Sequence, residues 1–518
     1  MKQDQNQPTP RPDLFVSRRS ISLSALAALG LAACGQEGGQ GGGQGAGQAG
    51  SQAPAPQSPA ATATPATPGT PFAPRESQAM LQALSQAQAQ GFAPGAFGDV
   101  NQIASQVAST DPAVQAEGQK ALRTAILKYA RAQHGFGLPT AEFPKEWGIR
   151  PARYDAAPAL LAAQGAHQVP DWLAQQPPPD PRYRALLQAL AAYQAIAAKG
   201  GWQGLGDHGR MGRGASGQKV LALRDRLAVE DPAAASAAQG GMYDDAMTQA
   251  VSRFQAAHQL DATGEVGPKT WAALNVPVQD RINQIRANLE RWRWIPRTLP
   301  ATRIEVDAAS DVMDYYKDGK VALHMLAAAG KPDDQTPMLI SKITDIKFNP
   351  PWLIPADIAQ KELYPKEKHD PGYFAREQIV KGPTAVAPLM QKAGPKSALG
   401  QVKFEFDNAY GVYLHDTPAK AAFSKDQRDV SHGCVRLEHA LDLAKTLLNG
   451  VPDWSPDAID QLVATDDTKF AKLPQPVPVM LFYWTAYVQN GHVVFGQDAY
   501  GWDDILVRLL DAEASGQA

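Results

Sequence analysis

The sequence predicts a multidomain α+β protein in which helical domains precede a mostly β domain. Three observations predict this class. Apolar residues recur every three or four positions from about residue 76 to about residue 300, which is typical of amphipathic helices. Beyond residue 301 the apolar period shortens to two, which is typical of strands. The stretch 355–399 returns to a helix and loop pattern, so we expect an insertion that caps a site in the β domain.

The composition is that of a globular protein. The chain has 518 residues, of which 44% are hydrophobic and 19% charged, with a formal net charge of -3. These values predict several soluble domains rather than a membrane-embedded chain. A near-neutral balance gives no electrostatic attraction for a polyanion, so we expect no nucleic-acid partner.

Residues 1–34 are typical of an export signal. Arg18 and Arg19 precede an apolar run, 21–33, which is shorter than the roughly 20 residues that a membrane-spanning helix needs. The run leads into the sequence LAAC at Cys34, which resembles the lipobox of bacterial lipoproteins and implies lipidation of this cysteine. An ordinary export signal that happens to contain a cysteine is the alternative. The segment SRRSI around the two arginines resembles a twin-arginine signal, which implies export after folding.

The residues after the signal predict an anchor and a tether. Gly35 stands where an aspartate typically keeps lipoproteins in the inner membrane. The resemblance therefore implies a periplasmic protein anchored through lipidated Cys34, in the outer membrane of a Gram-negative bacterium. Residues 35–75 consist almost wholly of Gly, Gln, Ala, Pro, Ser and Thr, which predicts a disordered linker. A flexible coil of this length has an r.m.s. span of about 35 Å.

The ranges 76–201 and 280–300 predict helices without a catalytic constellation. In the first range, apolar stripes such as Leu186, Leu190 and Tyr193 lie between proline clusters, so we expect a helical scaffold domain. The second range has one apolar face and predicts a single linking helix.

The segment 213–276 contains two amphipathic stripes, a glycine turn and a third helical stretch. This segment resembles the three-helix peptidoglycan-binding domain of cell-wall enzymes at Phe254, at the turn around Gly264 and in the stretch 270–275. The resemblance implies that this domain binds peptidoglycan. Packing alone explains the apolar positions, so a helical core without a ligand is the alternative.

The range 301–510 predicts the β domain, and Cys434 is its chemical centre. The dipeptides Asp318-Gly319 and Asn490-Gly491 favour two-residue hairpin turns. The chain has two cysteines, so lipidation of the first would leave Cys434 as an unpaired thiol in an exported protein. Such a thiol is either buried and inert or retained for its reactivity.

Two histidines are candidate partners for this thiol, and a thiolate beside an imidazolium is more populated than in a free cysteine. His415 closes the apolar strand GVYLH, a position from which a rigid element presents a base. His432 lies two residues before Cys434, which brings both side chains to one face only in a strand. Gly433 permits close approach of the backbone, so the amides at His432, Gly433 and Cys434 are candidate oxyanion donors.

The pattern of His415 followed after about fifteen residues by SHGCVR resembles the signature of the YkuD-type L,D-transpeptidases. The order of scaffold, peptidoglycan-binding domain and capped catalytic domain is similar to the YcbB-like branch of that family. The resemblance implies a cysteine acyltransferase that forms 3→3 cross-links during cell-wall biogenesis, that carbapenems acylate, and that uses no metal or cofactor. The implied partners are a tetrapeptide donor stem and a diamino-acid acceptor stem.

The resemblance also implies residue roles. Cys434 is the nucleophile that forms a thioester, and His415 is its general base. Some members of the branch have serine in place of His432, which argues against His432 as an indispensable base. Arg436 steadies the loop or a substrate carboxylate. The supporting residues are Ser431, His432, Gly433 and Arg436, and the candidate pocket walls are Tyr413 and Trp352.

Several alternatives remain open. Water could resolve the thioester, giving an L,D-carboxypeptidase or amidase, or an amine on a protein could resolve it, giving an attachment enzyme. A non-catalytic wall anchor would make Cys434 dispensable. A zinc site of His415, His432, Cys434 and His439 lacks the usual ligand spacings. A papain-like hydrolase would place its histidine after the cysteine.

Overall fold

A computed structural model of the protein describes residues 66–425 and 428–515. The predicted export signal, the predicted lipidation site at Cys34 and most of the predicted linker lie outside these residues. Within them, no helix has both the length and the hydropathy needed to cross a bilayer. Helices occupy the described chain up to Trp294 and a β barrel follows, so the predicted α+β class is confirmed.

The described residues between 74 and 198 form a helical scaffold. Its helices are α1 (Pro74–Ser85), α2 (Val100–Val107), α3 (Pro112–Gln133), α4 (Ala156–Gly165), α5 (Val169–Ala174) and α6 (Pro181–Ala198). Aspartates cap several of them, since Asp99, Asp111 and Asp180 accept hydrogen bonds from first-turn amides. Phe72 is buried, with the Arg123 guanidinium 4.1 Å from its ring centre, so the ordered scaffold begins a few residues before the predicted boundary.

Three helices follow as a compact unit: α7 (Gln218–Glu230), α8 (Asp245–Ala257) and α9 (Pro268–Asn275). Gln255 of α8 holds the predicted glycine turn, because its Oε1 accepts a hydrogen bond from the Gly264 amide at 2.8 Å and its Nε2 donates to the Glu265 carbonyl at 2.7 Å. Gly264 has a φ of +71°, and a Cβ there would approach Thr248 Cγ2 to 2.6 Å. The turn therefore requires glycine.

The linking helix α10 (Val278–Trp294) is buried on almost every side, although the sequence predicted one apolar face. Its charged side chains are buried because they find partners. Arg291 pairs at 2.5 Å with Asp503 of the C-terminal helix α16 (Trp502–Ser515), and Arg293 pairs at 2.7 Å with Glu290. The helix therefore packs at the centre of the described chain, between the scaffold and the β domain.

The β domain is built on a closed barrel. Its strands are β1 (Arg303–Asp307), β2 (Val312–Lys317), β3 (Lys320–Ala328), β4 (Leu339–Phe348), β5 (Trp352–Ile354), β6 (Ile379–Lys381), β7 (Leu389–Gln391), β8 (Val402–Phe406), β9 (Leu414–His415), β10 (Val435–Leu437), β11 (Lys469–Phe482), β12 (Ala486–Gln489) and β13 (His492–Phe495). The order around the barrel is β1-β11-β4-β8-β9-β10-β3-β2. The β1–β11 and β9–β10 pairs are parallel, and the other pairs in the barrel are antiparallel.

Both predicted hairpin turns join neighbouring antiparallel strands. Asp318 and Gly319 connect β2 to β3, and Asn490 and Gly491 connect β12 to β13. All four residues have positive φ, as a tight two-residue turn of this kind requires. Two helices, α14 (Ala440–Leu447) and α15 (Pro456–Val463), pack against the barrel core.

The predicted insertion, 355–399, forms a small subdomain with its own apolar core, and this subdomain also includes strand β5, just before the predicted range. Strands β5, β7 and β6 form a three-stranded sheet. The helices α11 (Ala356–Ile358), α12 (Tyr364–His369) and α13 (Tyr373–Arg376) lie between β5 and β6, and a π-helical turn (Ala359–Leu363) joins α11 to α12. Single π turns are frequent at functional sites, and this one contacts the segment around Cys434, as described below.

Candidate active site

The segment that carries Cys434 is a turn held by side-chain hydrogen bonds. Cys434 directly precedes β10, which pairs with β9 so that Arg436 lies opposite His415. The Ser431 hydroxyl accepts a hydrogen bond from the Gly433 amide at 3.1 Å and donates to the Cys434 carbonyl at 2.5 Å. These bonds fix the turn and the register of the thiol against β9.

Gly433 is required by the shape of this turn. Its φ is +97°, and a Cβ at this position would lie 3.3 Å from the Gln335 carbonyl oxygen. The prediction that the Gly433 amide donates to an oxyanion needs correction, because that amide already donates to Ser431 Oγ. Within the described ranges, the amides of His432 and Cys434 donate no hydrogen bond and are the remaining candidates.

The half-buried Cys434 thiol packs against Tyr413. The phenol and the backbone amide of Tyr413 both face the thiol, and the Trp352 indole in turn contacts that phenol. Burial raises the pKa of the thiol, and the hydrogen bonds from Tyr413 and the charge of Lys403 oppose this rise. The structure therefore brings both predicted pocket residues to the thiol, with Trp352 supplied by the first strand of the insertion.

His415 is buried at the end of β9, with 5% of its surface exposed. Its Nδ1–H donates to the Asp416 carbonyl oxygen at 2.5 Å, which leaves Nε2 as the proton acceptor. Burial, helped by the nearby charge of Arg436, lowers the pKa of His415 to about 3, although the Asp416 and Leu399 carbonyls oppose the change. The imidazole is therefore neutral near pH 7.

The resting state differs from the thiolate and imidazolium pair that the sequence suggested. Burial disfavours the charged form of both groups, because it raises the pKa of Cys434 and lowers that of His415. No hydrogen bond joins the two side chains in the part of the chain that the structure describes. Catalytic hydrogen bonds are often loose before substrate binds.

His432 links the cysteine turn to the insertion. Its Nε2 lies 2.6 Å from Glu362 Oε1, in the π-helical turn Ala359–Leu363. Lys366 lies 3.8 Å from the other oxygen of the same carboxylate. The imidazole of His432 is therefore engaged by a carboxylate of the insertion.

Arg436 is a half-buried cation next to the thiol. No residue of the described chain lies within ion-pairing distance of its guanidinium, and its buried Nε has no hydrogen-bond partner there. Burial lowers the pKa of Arg436. An unpaired guanidinium beside a nucleophile is suited to bind a substrate carboxylate.

Three residues at the site were not predicted from the sequence: Asp416, Lys403 and Glu362. Asp416 orients His415 through its carbonyl, and Lys403 Nζ lies 3.9 Å from the centre of the Tyr413 ring. The alternation in the stretch KFEF does carry a signal for Lys403, because it places Lys403 on the face opposite to buried Phe404. No local pattern indicates Glu362, whose contact with the motif depends on the fold of the insertion.

The zinc alternative gains no support from the geometry. His439 lies 3.6 Å from Glu438, and His432 is engaged by Glu362. Across residues 66–425 and 428–515, no group of three or more His, Cys, Asp or Glu side chains is arranged to hold a metal ion.

Comparisons with known proteins agree with this architecture. Residues 301–455 match the family model of the YkuD L,D-transpeptidase catalytic domain. Residues 72–190 match a scaffold domain, and residues 216–274 match a family described as "Putative peptidoglycan binding domain". A Haemophilus influenzae protein described as "Putative L,D-transpeptidase" is 31% identical over 237 residues, covering 42% of this chain and 48% of that protein. The match thus spans about half the length of that relative.

Solved structures with similarity to this chain include L,D-transpeptidases. The catalytic domain of the Enterococcus faecium enzyme acylated by ertapenem is 19% identical, covers 36% of this chain and 99% of its own, and has a TM-score of 0.19. An L,D-transpeptidase from Xylanimonas cellulosilytica is 19% identical, with coverages of 54% and 99% and a TM-score of 0.18. TM-scores this low carry no weight. The family of the catalytic domain is therefore shown by the family models and by the Haemophilus influenzae relative. The chain therefore contains an L,D-transpeptidase catalytic domain of the YkuD family, preceded by a peptidoglycan-binding domain.

Proposed function

We propose that the protein is a peptidoglycan L,D-transpeptidase that transfers an acyl group through Cys434. The observation that carries the proposal is the pairing of β9 with β10, which brings His415 and the cysteine turn to neighbouring positions. The catalytic-domain match supports the reaction class, and the match to a peptidoglycan-binding domain supports peptidoglycan as the substrate.

The proposed reaction begins with acylation. The Cys434 thiol gives its proton to Nε2 of His415 as sulfur attacks the carbonyl carbon of the third, diamino acid residue of a tetrapeptide stem. The peptide bond to the terminal D-alanine breaks, its nitrogen takes the proton from the imidazolium, and D-alanine leaves. A thioester remains on Cys434.

The second half of the reaction transfers the acyl group to an amine. The side-chain amine of the diamino acid in a second stem attacks the thioester carbonyl and gives a proton to His415, which returns it to the departing sulfur. A 3→3 cross-link forms and the thiol is restored. In both halves, the amides of Cys434 and His432 are the proposed donors to the oxyanion. The Asp416 carbonyl holds the imidazole in one tautomer.

Substitution of the two histidines separates their roles. We expect His415→Ala to lower the rate of Cys434 acylation by a tetrapeptide about 10²- to 10⁴-fold, because the proton acceptor is lost. His432→Ala should lower it by less than about tenfold, because the imidazole contacts Glu362 rather than the thiol. Quenched-flow mass spectrometry measures both rates, with Cys434→Ala as the blank. Equal losses in the two variants would refute the assignment of His415 as the base.

We further propose that the mature protein is periplasmic and lipid-anchored in the outer membrane through Cys34. The LAAC sequence before the tether-like segment supports this location. Mass spectrometry of the mature N-terminus should find an acylated Cys34, and an unmodified terminus at another residue would contradict the anchor.

A further inference from the structure

The barrel face that carries His415 also carries a row of side chains, three of which are cations: Lys347, Lys403 and Arg436. Each residue of the row is directly paired with the next across neighbouring strands, from β11 through β4, β8 and β9 to β10. Directly paired residues on adjacent strands lie on the same face of a sheet. The residues of this basic row are, in order, Phe470, Lys347, Lys403, His415 and Arg436.

The basic row carries more positive than negative charge. Lys347 and Lys403 share a single carboxylate, that of Glu405, at 3.6 and 3.0 Å. Arg436 has no ionic partner in the described residues, as noted above. One lysine charge and the Arg436 charge are therefore uncompensated along the row, and such a surface attracts an anionic ligand.

The lysines of the row are held against the barrel rather than extended into solvent. Only 20% of the Lys347 side chain and 19% of the Lys403 side chain are exposed. Lys347 Nζ lies 4.5 Å from the centre of the Phe470 ring, and Phe470 is itself 59% exposed at the far end of the row. Side chains already fixed in place lose less conformational entropy when a ligand binds.

The length of the row matches a short peptide. Neighbouring strands are about 4.8 Å apart, so Lys347 on β4 lies about 14 Å from Arg436 on β10, three strands away. An extended chain advances about 3.3 to 3.6 Å per residue, so four or five residues cover this distance.

We propose that the basic row is a subsite for the donor stem, a peptide that carries free carboxylates. Lys347 and Lys403 contact these carboxylates, and Phe470 packs against the end of the peptide far from Cys434. This inference rests on the proposed function, because the peptide that occupies the row is the one that acylates Cys434.

The test compares two donors on charge variants of the row. Lys347 is suited to it because it lies two strands from His415 and takes no part in the chemistry. With a disaccharide-tetrapeptide that has free carboxylates, Lys347→Met should raise the KM for Cys434 acylation about tenfold and leave kcat nearly unchanged. With the same donor amidated at its carboxylates, Lys347→Met and the unmodified protein should have the same KM and kcat for Cys434 acylation.

Two control variants make the result specific. Lys347→Arg keeps the charge and should retain a KM within about threefold of the original. Lys342→Met removes a lysine from the same strand at a position that pairs with Pro478, outside the row, and should have no effect. An unchanged KM in Lys347→Met, or an equal loss of kcat with both donors, would overturn the subsite. Failure of the unmodified protein to acylate at all would overturn the proposed function instead.

Discussion

Burial decides the chemistry of the two central residues, Cys434 and His415. The surroundings of both groups favour the neutral thiol and the neutral imidazole, because burial raises the pKa of Cys434 and lowers that of His415. The thiol is thus protected from oxidation at rest, because oxidants react with the thiolate. Deprotonation is expected to accompany attack on the substrate.

The pH dependence of acylation follows from these pKa shifts. His415, with its pKa lowered to about 3, stays a competent base as pH falls, and protonation removes it only near that value. Burial raises the pKa of Cys434, so thiolate accumulates only at alkaline pH. We therefore expect the rate of acylation by a carbapenem to be nearly flat from about pH 5 to 8 and to rise above that range. Mass gain on Cys434 measures the rate, and a fall with an apparent pKa of about 6 to 7 would contradict the neutral pair.

At the residue scale, the sequence motif predicts the reacting groups but not what surrounds them. Cys434 and His415 are predicted because nucleophilic catalysis by a thiol needs a cysteine and a histidine, and the stretches SHGCVR and GVYLH supply them. The occupied amide of Gly433 is not predicted, because it depends on the rotamer of Ser431. The contact between Glu362 and His432 joins residues 70 positions apart, which no local pattern encodes.

At the scale of elements, the insertion contacts the candidate active site from outside the barrel. It reaches the site at two points, through the Trp352 contact with Tyr413 and through the Glu362 contact with His432. Its position in the sequence was predicted from the change in periodicity, but its fold was not, since short strands and single helical turns depend on the small core that they share.

Loss of the Glu362 carboxylate should loosen the insertion. We expect Glu362→Ala to raise the rate at which iodoacetamide alkylates Cys434 by a few-fold, because a hydrogen bond such as the one between Glu362 and His432 contributes about 0.5 to 1.5 kcal/mol. Glu377→Ala is the matched control, since Glu377 has the same 34% exposure and pairs with Lys396 within the insertion. Equal alkylation rates in the Glu362 variant and the unmodified protein would show that this contact does not hold the cap.

In the whole molecule, helix α10 joins the wall-binding and catalytic parts. The sequence predicted the helix and one apolar face, but not the burial of its charged residues. The structure buries them because Asp503, more than 200 residues away in sequence, provides the counter-charge for Arg291. Domain order was predictable from periodicity and composition, whereas this central packing depends on contacts between distant segments.

The most direct test of the proposed transpeptidase is intact-protein mass spectrometry of the chain carrying Cys34→Ser, mixed with a disaccharide-tetrapeptide. We expect a thioester adduct on Cys434, followed by 3→3 dimers among the muropeptides. The Cys434→Ala variant should form neither product and still sediment with purified peptidoglycan. Absence of an adduct would contradict covalent catalysis by Cys434, and an adduct that yields only tripeptide would contradict transfer to an amine.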